Sequence, residues 1–104
     1  MDAASARHRM LFAIARGDMV TIRALLDMNT GVNFSLNGTT PLHLATEKGY
    51  SNIVQLLINH GADLLAKNAE GKMPLDIALT VKKFARTTEI LYDATMPQIT
   101  SLQE

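Results

Sequence analysis

His43 and Glu47 stand four residues apart, a spacing that sets two side chains one above the other on a helix and can supply half of a metal site. A metal centre needs three or four ligands, and no third donor falls at ligand spacing. His8 and His60 lie in an end segment and a turn, each without a ligand-spaced partner. Gly71-Lys72 has the ending of a phosphate-binding loop. That motif requires Gly five residues earlier, where Ala66 stands, and Ser or Thr next, where Met73 stands. No Ser or Thr has the local context of an activated nucleophile, and there is no cysteine to serve as thiolate or disulfide. Asn33-Phe34-Ser35 and Asn37-Gly38-Thr39 fit the glycosylation sequon but follow no leader, so both read as coincidental. Neither a catalytic, a cofactor nor a metal site is expected.

The elements that would position any site are helical. Hydrophobic residues are 47% and charged residues 19% of the 104, a globular balance, while aromatics are only 5% and Trp is absent. Packing must therefore come from Leu, Ile, Val, Met and Ala. Ten basic residues offset ten acidic ones, so the basic excess that nucleic-acid binding uses is missing and no nucleic-acid partner is expected. Residues 1–10 carry Arg7, His8 and Arg9 without the apolar stretch of a signal peptide. The apolar run Ile53–Ile58, broken by Gln55, falls far short of the ~20 residues of a membrane span. The expectation is one domain over 1–104, cytoplasmic or nuclear.

A repeat organises it. Gly38-Thr39-Thr40-Pro41-Leu42-His43-Leu44-Ala45 returns thirty-three residues on as Gly71-Lys72-Met73-Pro74-Leu75-Asp76-Ile77-Ala78. An earlier copy keeps Met10-Leu11-Phe12-Ala13, with Ala13 thirty-two residues before Ala45. Apolar ladders follow each box: Met19, Ile22, Leu25, Leu26; then Ser51, Val54, Leu57, Ile58; then Phe84, Thr87, Ile90, Leu91. Offsets of 0, 3, 6 and 7 mark one helical face. Each unit thus reads as two helices. The first opens at Thr40-Pro41, where the hydroxyl caps an orphan N–H and Pro costs nothing. It ends near Gly49, and the second runs from Ser51 to Asn59.

Gly38, Thr40-Pro41-Leu42-His43, Ala45, Gly49, Ile53-Val54, Leu56-Leu57 and Gly61-Ala62-Asp63 resemble the ankyrin repeat. The resemblance covers residues 8 to 92. It implies an all-α ankyrin-repeat solenoid of stacked helix–turn–helix units with hairpin-like connecting loops: repeats at about 8–37, 38–70 and 71–92, and a tail at 93–104. First helices are expected near Ser5–Arg16, Thr40–Lys48 and Met73–Val81. Copy one lacks the Thr-Pro-Leu-His box. Copy three has Met73, Asp76 and Lys82 in place of Thr, His and the mid-repeat Gly. Both read as caps, since terminal repeats face solvent on one side. Asn29 stands where a helix-stopping Gly belongs, and Asn tolerates left-handed geometry. By the same resemblance, His43 ties the helix start to the neighbouring turn. A finger Asn eight residues after a Leu is hydroxylated in some such domains. Leu25 and Asn33 have that spacing but lack the usual preceding acid.

The resemblance also implies binding on a concave side lined by the fingers and the exposed faces of the first helices. By repeat position this comprises Arg16, Thr39, Glu47, Lys48, Lys67, Glu70, Lys72, Thr80 and Val81, with Thr46, Ala69 and Leu36 alongside. The expected function is a non-enzymatic adaptor or regulatory module for a protein partner, monomeric alone and without a cofactor. The alternative is an assembly domain that self-associates through an apolar repeat end, with Thr80, Val81, Ile99 and Leu102 at the contact.

Overall fold

The computed structural model describes residues 2–81 and 83–102. Six helices follow one another: α1 (Ala3–Arg16), α2 (Met19–Asp27), α3 (Pro41–Lys48), α4 (Ser51–Asn59), α5 (Pro74–Val81) and α6 (Ala85–Leu102). Among the described residues no strand forms; a single antiparallel bridge joins Leu36 to Thr39 in the first finger. The helices pair as α1–α2, α3–α4 and α5–α6, and the first helices stack in the order α1, α3, α5. Lys82, which holds the mid-repeat glycine position of the third copy, lies outside the described residues, as does the side chain of Leu102.

Local chemistry explains the helix ends. Thr40 is extended (φ −95°, ψ 163°), its hydroxyl accepts from the His43 N–H at 3.2 Å, and Pro41 occupies the first helical position. Gly49 closes α3 at φ 71°, which a Cβ would disfavour. At α1, Asp2 accepts from the Ser5 N–H at 2.7 Å; at α2, Asp18 accepts from the Thr21 N–H at 3.1 Å. Asn29 takes φ 63°, the left-handed turn its position called for. The third copy is capped differently: Asp76, inside α5, accepts from the Met73 N–H at 2.9 Å.

Between the two helix layers lies one core. Met10, Ala13, Ile14, Leu42, Ala45, Leu75 and Ala78 come from the first helices. Ile22, Leu25, Val54, Leu57 and Leu91 come from the second, so the apolar ladders are the buried faces. Ala45 has no exposed surface, as expected where α3 is packed between α1 and α5. Residues 93–102, expected as a tail, continue α6 to Leu102, with Pro97 inside the helix. Ala94 and Met96 pack against the core, which gives that extension an apolar reason to stay helical.

Candidate protein-binding face

The fingers are held by polar ties that run from one repeat to the next. His43 is buried, and its Nε2 lies 2.7 Å from the Lys72 carbonyl. A carbonyl only accepts, so Nε2 carries the hydrogen there. The Thr40 hydroxyl, 2.6 Å from Nδ1, then donates to that ring nitrogen while accepting from the His43 N–H. His43 is thus a strut between α3 and the second finger. Asn33 makes a second strut: its Nδ2 donates to the Gly61 carbonyl at 2.9 Å and its Oδ1 accepts from the Asp63 N–H at 2.7 Å. A third joins the finger tips, with the Ala69 N–H donating to the Gly38 carbonyl at 3.0 Å. Gly38 has φ 79°, and a Cβ there would collide with Ala69.

Upon this frame the nine candidate residues fall into two groups. Arg16, Lys48 and Val81 are the last residues of α1, α3 and α5, with Glu47 and Thr80 one place before the latter two, and all five are exposed. Arg16 and Lys48 also complement the negative ends of their helices. Thr39, Lys67, Glu70 and Lys72 belong to the fingers. Lys72 and Glu70 approach to 3.9 Å, an open pair. Since α3 has eight residues, about 12 Å of helix separates the two groups. The arrangement places charged and polar side chains at the helix ends and on fingers whose backbone is hydrogen-bonded to the neighbouring repeat.

Two neighbours named with them are less exposed than most of the nine. Thr46 is buried, its hydroxyl donating to the Leu42 carbonyl at 2.7 Å, because its place on α3 faces the next first helix. Leu36 is half-buried against the core, its backbone exchanging both hydrogen bonds with Thr39. Among the described residues no three His, Asp or Glu side chains gather at metal-binding distance.

Sequence reasoning placed solvent at both ends of the stack but did not name Phe12 or Leu79 as the apolar residues exposed there. At one position Ile14 is 0% and Thr46 is 1% exposed, but Leu79 is 45% exposed, because among the described residues no further first helix covers α5. The converse position gives Phe12 at 64% against Ile77 at 8%. Aligning the three copies and asking which apolar residues lose a neighbour at each end would have found both.

Three stacked helix pairs joined by hydrogen-bonded fingers define a helical-repeat protein. Residues 29–78 match the family model described as ankyrin repeats (many copies). Among curated relatives, a BTB/POZ domain and ankyrin repeat-containing protein of Medicago truncatula, NOOT1, is 30% identical over 95 residues, 88% of this chain and 19% of that protein. Zygote-specific protein 3 of Chlamydomonas reinhardtii is 40% identical over 82 residues, 78% of this chain and 22% of that one. The palmitoyltransferase AKR1 of Lachancea kluyveri is 37% identical over 73 residues, 69% of this chain and 10% of that one. The chain is an ankyrin-repeat protein. It spans between about a tenth and a fifth of the length of these relatives. Among the described residues, no helix is long and apolar enough to cross a membrane.

Proposed function

We propose that this chain is a non-enzymatic interaction module, an adaptor or regulatory domain that binds a protein partner across the face carrying Arg16, Thr39, Glu47, Lys48, Lys67, Glu70, Lys72, Thr80 and Val81. The observation that carries this reading is the division of labour within the second finger. The Lys72 carbonyl accepts from His43 and Asn68, while its side chain reaches solvent. Backbone and struts hold the surface still, leaving the charged side chains free for a partner. A rigid surface loses little entropy on association. The module works in the cytoplasm or nucleus, without a cofactor and without nucleic acid, as the balanced charge suggests.

The test uses a partner recovered with the folded domain and then purified. Reversing Lys48 and Lys72 to Glu is expected to weaken that partner by about tenfold or more, while moving stability by only about 0.5 kcal/mol per site. Changing Gln55 and Asn59 to Lys, a hydrogen-bonded pair on the outer face of α4, is expected to do far less. Loss of binding in the outer variant alone would assign the wrong side. The exposure of Leu79 favours a second reading, self-association through the α5 end. Light scattering on the purified chain separates the two, since that reading requires a dimer or larger species without any partner.

A further inference from the structure

The N-terminal end of the stack carries a second, chemically distinct surface. Arg9, Phe12 and Arg16 are exposed and lie at offsets of 0, 3 and 7 on α1, within one narrow stripe. The two arginines are about 10.5 Å apart along the axis, with the phenylalanine between them. The Arg16 guanidinium sits 5.5 Å from the centre of the Phe12 ring, within cation–π range. Within Ala3–Arg16 there are three arginines and no Asp or Glu; Asp2, which lines the same surface as Arg9 and Phe12, has its carboxylate engaged by the Ser5 N–H. The ion pairs found among the described residues, Lys72–Glu70 and Arg86–Glu89, involve none of these arginines. Asp18 lies near enough to Arg16 to feel its charge, but its carboxylate is engaged by Thr21.

The stack itself shows what shape covers this stripe. Phe12 occupies the position of Leu44 and Ile77, and those residues are covered in part or whole where a first helix packs ahead of their own. The slot in front of Phe12 is therefore shaped for a helix. Another ankyrin repeat in register does not fit it. By repeat position Arg9 corresponds to Pro41, where α3 starts, yet α1 starts six residues before Arg9, at Ala3. The residues that elsewhere form half of a finger are here helical, capped by Asp2.

We infer that the front of α1 docks an acidic amphipathic helix of a partner protein. That helix lies along α1, places carboxylates about two turns apart on Arg9 and Arg16, and sets an apolar side chain on Phe12. Guanidinium forks match carboxylates in plane and number, and an aromatic flanked by arginines is the composition typical of binding hot spots. The surface is separate from the proposed partner-binding face except at Arg16.

A displayed library of single-helix peptides with randomised surface positions, selected on the full chain, tests this. Enriched peptides are expected to carry Asp or Glu two turns apart with Leu, Met or Phe between, and to weaken as salt rises. Arg9→Glu and Phe12→Ala are each expected to reduce binding by about tenfold or more, and Lys48→Glu with Lys72→Glu to leave it unchanged. Amide chemical shifts of the unmutated chain should move along residues 5–16 when a selected peptide is added, a readout independent of the variants' folding. Enrichment of neutral or basic peptides overturns the inference, as does binding that survives both α1 variants. Binding lost only in the Lys48→Glu, Lys72→Glu variant overturns it too while favouring the first reading. Tighter binding of a single-stranded DNA oligonucleotide than of the acidic peptides would make the surface a polyanion site and overturn the choice of partner.

Discussion

Thr87, like Thr95, is a polar residue whose chemistry fits its buried place poorly. Thr87 holds the ladder position occupied by Ile22 and Val54 in the other copies, is fully buried, and its hydroxyl finds no hydrogen-bond partner among the described residues. An unsatisfied buried hydroxyl is a net cost, and valine has nearly the same shape without it. Thr87→Val is therefore expected to stabilise the chain by about 1 kcal/mol, read as a higher urea midpoint with an unchanged slope. Asp18 is the opposite case. The Thr21 hydroxyl, donating at 2.6 Å, and then the Thr21 N–H hold its carboxyl below the ordinary value of 3.8. Asp2 is lowered too, chiefly by the Ser5 N–H. A carboxyl lowered in the folded state contributes stability that is complete above the unfolded value and lost as pH falls through the folded one. Melting curves from about pH 7 to pH 2 should show that loss, and Asp18→Asn, which keeps an acceptor but cannot titrate, should flatten it.

At the scale of elements, the helix ends and the fingers do the positioning. Gly49 closes α3 at φ 71° and lies directly against the Phe84 ring, as Gly17 closes α1 with Tyr50 3.4 Å from where its Cβ would be. The aromatic of one repeat therefore covers the helix stop of the repeat before it. Gly49→Ala meets both a disfavoured backbone and a ring with no room beside it, so a loss of about 2 kcal/mol or more is expected. Gly31 is a fair control: its φ is not positive and its surroundings are open. Gly31→Ala should be neutral or stabilise by up to about 1 kcal/mol through the unfolded chain. Equal losses in thermal melts of the two variants would contradict the roles given to Gly49 and Phe84.

The whole molecule is a stack whose repeats touch only their neighbours, so its stability is carried by the contacts between them. Ala45 sits fully buried at the centre of that stack, where α3 meets both α1 and α5. Ala45→Leu would force these first helices apart and is expected to cost about 1–3 kcal/mol; an unchanged melting temperature would refute the placement. The ends are built to different rules from the centre. The forward-reaching struts Asn33 and His43 have Ala66 and Asp76 as counterparts in the next copy, and Asp76 turns back onto its own helix start. The polar ties thus stop at the third repeat, although the apolar face of Leu79 does not.

The residues alone determined the repeat, its period, the paired helices and most of their ends. These depend on short-range rules: a hydroxyl before proline, a left-handed residue after the last turn, and apolar side chains at helical spacing. They also placed His43 and Ala45, because a repeat converts one copy's position into knowledge of its neighbours. Tertiary structure alone decided the rest. Thr46 has the chemistry of a surface residue, and only the packing of α5 on α3 buries it. The segment after Asp93 contains a proline, and only the core beneath Ala94 and Met96 shows why it stays helical. The exposure of Phe12 and Leu79 follows from which neighbours are missing. Local sequence does not record that, because burial belongs to a pair of surfaces and each of these residues carries only one of them.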